Sequence, residues 1–166
     1  MTAAPTGGQY RLHHAGPDGV VEAVVTEVAA GIRELRVAGF DITEPFAVTE
    51  QPPGANGIVL APWPNRVAGG VWELEGKRQQ LDISEPKYGN ASHGLLRFAP
   101  YRVVSQAETS IQQEATIHPQ HGWPFTLETR AARARRRRHP CHARGHEPLG
   151  RPRTLRRRRA PVPACR

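Results

Sequence analysis

The chain has 166 residues, with 23 Lys and Arg against 15 Asp and Glu; that length suits one domain able to bury ~70% of the surface its unfolded chain exposes. A pI near 10.7 points toward polyanionic partners, but the charge is unevenly placed. Residues 1–129 carry nine basic and fourteen acidic side chains and residues 130–166 carry fourteen and one, which excludes an evenly basic nucleic-acid-binding domain.

The opening MTAAPTGGQYRLHH has no apolar h-region. Nowhere does an uncharged apolar run approach the ~20 residues of a membrane span, so a cytoplasmic protein with no membrane partner is expected. Short apolar–polar alternations separated by Gly and Pro then argue for strands over helices. Two strand regions are expected at Val20 to Val28 and at Ile32 to Ile42, the second turning at Ala38-Gly39. Val71 to Leu81 reads as a hairpin with its turn at Glu75-Gly76, where Gly accepts the positive φ of a tight hairpin. Further strands are expected at Arg97 to Val104 and Ser110 to Ile117, followed by a Pro-containing corner at His118 to Phe125. Gln51 to Gly57 and Asp82 to Gly94 read as loops. The fold class is therefore all-β: an antiparallel sheet, incomplete because five or six strands leave little to cover a second face.

Every Trp, Tyr, Phe, Ile and Lys lies in residues 1–129. Residues 130–166 are mostly Arg, Ala, Pro, Gly and His and hold both cysteines, Cys141 and Cys165. A segment so poor in large aliphatics cannot offset its ordering entropy, and disorder is expected there. The body has no disulfide framework. His13, His14, His118 and His121 lack companions at metal-ligand spacing, and Cys141, His142, His146 and Cys165 lack a scaffold, so no metal site and no cofactor are expected.

Two loops bring polar groups next to aromatics and glycines: APWPNRVAGG at Ala61 to Gly70 and NASHGLLR at Asn90 to Arg97. Asn65-Arg66 in isolation is a turn Asn and a surface Arg. The order Asn65-Arg66, a hairpin, His93-Gly94 and then Gly122-Trp123-Pro124-Phe125 resembles the aldose 1-epimerase (galactose mutarotase) family. Trp72 is expected in the core, while Trp63 and Trp123 read equally as core or as flat platforms for a sugar.

The resemblance covers about residues 20 to 129 and makes residues 1–129 the N-terminal part of a mutarotase-like β-sandwich. It implies an isomerase of carbohydrate metabolism that binds an aldohexose of the glucose or galactose type. In such enzymes a carboxylate takes the anomeric proton, an imidazolium protonates the ring oxygen, and the opened ring recloses on the other face. Carried over, Asn65 and Arg66 match the substrate-binding pair, and His93 the first active-site histidine, which hydrogen-bonds the sugar. The family's acid, in a His-Pro-Tyr motif, and its later base Glu have no counterpart here, so a truncated, inactive chain is expected.

The tail suggests why. With permitted GC-rich codons, Leu155 through Ala164 read one base later spells Phe-Gly-Val-Gly-Ala-His-Pro-Tyr-Leu, so residues 130–166 are expected to be frameshifted. A rival reading joins a small β domain to a basic disordered arm that binds nucleic acid. Its Arg runs, Arg135 to Arg138 and Arg156 to Arg159, have no interleaved aromatics for base stacking, so such binding is expected to be non-specific and salt-dependent.

Overall fold

A computed structural model describes residues 4–17 and 19–134, together with the backbone of 143–145. The chain opens with four strands, β1 (Gln9–Gly16), β2 (Gly19–Thr26), β3 (Ile32–Val37) and β4 (Phe40–Asp41), in one antiparallel meander of order β1-β2-β3-β4. Four short strands follow: β5 (Arg66–Ala68), β6 (Val71–Leu74), β7 (Lys77–Gln80) and β8 (Asn90–Ser92). They pair as two ladders, β5 with β8 and β6 with β7. The chain continues with β9 (Arg102–Ala107), β10 (Ser110–Ile117), β11 (Leu127–Ala134) and β12 (Ala143–Gly145), a second antiparallel meander of order β12-β11-β10-β9.

The expected all-β class and antiparallel pairing are thus observed, and the turns at Ala38-Gly39 and Glu75-Gly76 are both built from positive-φ residues. Four expectations need correction, the last being the strand count and the Asp82 to Gly94 loop: the described residues form twelve strands and not five or six, and β8 lies inside that loop. The Gln9–Gly16 segment is a full strand, because Tyr10 and Leu12 pack on one side while its backbone pairs with β2 residue for residue. Arg97 to Tyr101 is irregular and the strand begins only at Arg102, since Pro100 has no N–H for a ladder.

The third correction concerns the tail boundary. Residues 130–134, expected in the disordered tail, complete β11, where Thr129 and Ala131 are buried. Arg130 points outward, so a strand with one apolar face reads as an Arg-rich run. Ala143–Gly145 also pairs with Leu127–Thr129. The remaining positions for which disorder was expected, 135–142 and 146–166, lie outside the described residues.

Two apolar clusters hold the sheets. Leu12 and Val25 of the first sheet meet Ile111 of the second, with Tyr10, Ala23 and Val103 around them. Beside this, Tyr101 and Ile117, 1% and 2% exposed, join Ala30, Leu96 and Ala131. Polar contacts fix how the sheets meet: the His13 N–H donates to the Glu108 carbonyl at 2.8 Å, and the Gln113 side-chain amide donates to the Thr26 carbonyl at 3.1 Å. An apolar groove of about 450 Å³ opens beside this junction, lined by residues including Leu12, Val21, Leu35 and Ala132.

Candidate functional site

The β5–β8 ladder brings together the residues the sequence singled out. Arg66 lies opposite Ser92 in the register, and one step beyond it the His93 N–H donates to the Asn65 carbonyl at 2.8 Å. Asn65 and His93, 28 positions apart, are thereby neighbours across the end of the ladder. Both have positive φ, 57° and 64°, a conformation that Asn and His tolerate better than most residues. Gly94 follows with φ 79°; there a side chain would run into the Ala61 carbonyl, which accepts the Leu95 N–H at 2.8 Å. The His93 turn is pinned against the Ala61 to Asn65 loop on both sides.

Arg66 is exposed and held by a bidentate pair: its Nε and a terminal nitrogen donate to the two Glu85 carboxylate oxygens at 2.5 and 2.8 Å. That hydrogen bonding, helped by Asn90, holds the Glu85 carboxyl below its usual range. The guanidinium carbon also lies 5.9 Å from the centre of the Tyr88 ring, within cation–π range. The fork of Arg66 is thus oriented before any ligand arrives.

Burial holds the His93 imidazole below its ordinary pKa, with the Arg97 and Arg66 charges adding to the effect and Glu85 opposing it. A neutral imidazole can donate from one ring nitrogen and accept at the other, which suits holding a hydroxyl. It does not suit delivering a proton at neutral pH.

The aromatics form one connected cluster. Trp123 stands 6.1 Å from Trp63, 6.0 Å from Trp72 and 5.3 Å from Phe125 between ring centres. Trp72, expected in the core, is half-buried and belongs to this cluster; its indole N–H donates to the Gly122 carbonyl at 2.9 Å. Among the described residues, five buried side-chain polar atoms have no hydrogen-bond partner, and four of them belong to residues of this neighbourhood: Trp63 Nε1, Ser92 Oγ, His93 Nδ1 and Trp123 Nε1. Buried polar atoms are otherwise nearly always paired, and these four exceptions fall in one neighbourhood.

Sequence reasoning missed Glu85 and Tyr88, placed inside an apparent loop, and the pairing of His121 with Asp82, whose Nδ1 and Oδ1 lie 2.7 Å apart. A separation of 39 residues hides that pair from any local motif. Glu85 could have been found as one of the two carboxylates, with Asp82, in the loop leading to Asn90. Among the described residues, no group of three or more His, Cys, Asp or Glu could hold a metal ion, and no helix is long and apolar enough to cross a membrane.

The fold and the Asn-Arg and His-Gly elements place this chain among known proteins. A family model described as Aldose 1-epimerase matches residues 11–133, and the chain belongs to that family. It is 36% identical over 109 residues to the uncharacterized protein YihR of Escherichia coli (strain K12), a match covering 66% of this chain and 35% of YihR. Its fold is similar to that of the GalM/aldose epimerase homologue from C. elegans, with TM-score 0.60, 16% identity, and coverage of 75% of this chain and 41% of the other. It is also similar to a galactose mutarotase related enzyme from Lactobacillus acidophilus, with TM-score 0.56, 19% identity, and coverage of 75% and 38%. The chain spans about a third of the length of the curated relative it matches.

Proposed function

We propose that this chain is the sugar-holding N-terminal part of a cytoplasmic aldose 1-epimerase, in which Asn65, Arg66 and His93 bind an aldohexose of the glucose or galactose type. The observation that carries the reading is the hydrogen bond joining the His93 N–H to the Asn65 carbonyl, which sets the family's two binding elements side by side. A neutral His93 fits a group that holds a sugar hydroxyl, and Arg66, oriented by Glu85, supplies donors to ring or hydroxyl oxygens.

Anomer interconversion needs a base at the anomeric hydroxyl and an acid at the ring oxygen. In this reading both come from the remainder of a complete β-sandwich. They are lost because the coding sequence changes frame after the family match at residue 133, and the tail from about residue 135 is a product of that shift.

Polarimetry of freshly dissolved α-galactose and α-glucose tests the proposal. The 166-residue chain is expected to leave the rotation at its uncatalysed rate, since loss of one positioned acid or base typically costs ~10²–10⁴-fold. The protein encoded by the frame one base later is expected to accelerate it, and to lose that acceleration on His93→Ala. A restored frame closed by early stop codons would refute the frameshift. A restored protein without mutarotase activity would refute the enzymatic reading.

A further inference from the structure

The apolar groove beside the sheet junction is part of a larger face. Directly paired residues project to the same side of a sheet, and the register joins Leu12 to Ala23, Ala23 to Leu35, Val21 to Val37 and Val37 to Phe40. Charge falls on the other side, where Glu22 pairs with Arg36 and Arg36 with Asp41. Ile111 of the second sheet covers the Leu12 and Val25 end of the apolar side. Val21, Leu35 and Val37 line the open groove of about 450 Å³. Beyond them Phe40 is 74% exposed, and Ile42, whose N–H donates to the Leu35 carbonyl at 2.8 Å, is 59% exposed. An apolar stripe that runs from a buried core out to a bare phenylalanine marks a contact surface.

The rest of this sequence is chemically unsuited to cover it. Ala132, Arg133 and Ala134 also line the groove, so β11 ends at its rim. Residues 135–166 hold twelve arginines and no aromatic side chain, with Leu149, Leu155 and Val162 as their large aliphatics. Guanidinium groups laid on an apolar face lose hydration and need acceptors in return. The ionisable side chains of the groove are His13, His14 and Arg133, with no carboxylate among them.

A second copy of the chain brings both halves of a fit: the same groove, and the same projecting Phe40 beside it. A two-fold axis through this face seats the Phe40 of each copy against the groove of the other, a self-complementary contact that closes at two. The outer strand β4 is two residues long, which leaves little free edge for open-ended strand pairing. We propose that this sheet face is a two-fold interface between copies of this chain, in which Phe40 of each packs against Val21, Leu35 and Val37 of the other. The proposal is independent of the sugar-binding reading.

Sedimentation velocity of the 166-residue chain, run from about 1 to 300 μM at about 0.05 M and about 0.5 M salt, tests it. A monomer–dimer equilibrium is expected that holds or strengthens with salt, because copies of net charge +8 repel one another and salt screens that repulsion while apolar burial remains. Phe40→Asp is expected to keep the parent's far-UV circular dichroism and to weaken the dimer about 100-fold, since each dimer loses two buried rings. Phe40→Leu is expected to keep the dimer. The melting temperature of the parent is expected to rise with protein concentration, and that of Phe40→Asp to stay constant. Should Phe40→Asp lose its fold, Ile42→Asp on the same face serves in its place.

A parent that stays monomeric across the range overturns the proposal, as does association that the Asp variant leaves intact. Species that keep growing with concentration would replace the two-fold contact by open-ended association and refute it. Association that weakens as salt rises would assign the contact to the basic residues after position 134 meeting the acidic body of another copy, and the sheet face would lose its role.

Discussion

His93 illustrates how its surroundings give a side chain its chemistry. Burial, reinforced by Arg97 and Arg66, lowers its pKa in the folded protein, while the unfolded chain keeps a value near ~6.5. Between the two values the unfolded state binds more protons, so stability increases with pH through that window and is lost as pH falls through it. Thermal melts at a series of pH values between about 5 and 7 are expected to show this slope, and His93→Gln is expected to flatten it. Gly94 tests the backbone beside it. Both its positive φ and the nearby Ala61 carbonyl oppose a side chain, so Gly94→Ala is expected to destabilise the protein by about 3 kcal/mol or more, measured by urea denaturation.

The strands differ in how openly their sequences announce them. The β3–β4 and β6–β7 hairpins are legible because a two-residue turn with positive φ has its own residue preferences, and Ser110–Ile117 is legible because its apolar residues Ile111, Ala115 and Ile117 share one face of the strand. The first strand is hidden by Arg11, His13 and His14, which β2 accommodates through backbone pairing. The last full strand is hidden because its inward positions are Thr129 and Ala131, too small to register as a hydrophobic stripe. Contacts between elements leave no local trace at all. Gln113, 1% exposed, sits in β10 and donates its amide to Thr26 at the end of β2. Gln113→Leu leaves that carbonyl without its donor and is expected to cost about 1–3 kcal/mol, seen as a lower urea midpoint with an unchanged slope.

The division of charge between body and tail concerns the protein in its entirety. Fourteen arginines against one acidic residue after position 129 are expected to bind any polyanion at low ionic strength, with affinity falling linearly on a log–log salt plot. Removing residues 135–166 is expected to abolish this, as measured by fluorescence anisotropy with two unrelated oligonucleotides. Selectivity between them that persists at physiological salt would favour a functional basic arm over a frameshifted tail.

Composition and alternation were enough to establish an all-β chain with its charge split in two, because strand periodicity and turn chemistry are local properties of neighbouring residues. The order of Asn65-Arg66, His93-Gly94 and Gly122 to Phe125 was enough to indicate the family, because those residue types and spacings are specific as a set. Folding in three dimensions supplied what no local pattern encodes. The β5–β8 pairing sets His93 against Asn65, Glu85 reaches across 19 positions to Arg66, and His121 meets Asp82 across 39. Each of these depends on residues far apart in the chain being brought within a few ångströms, where hydrogen bonding, desolvation and charge act on distance in space and not on distance in sequence.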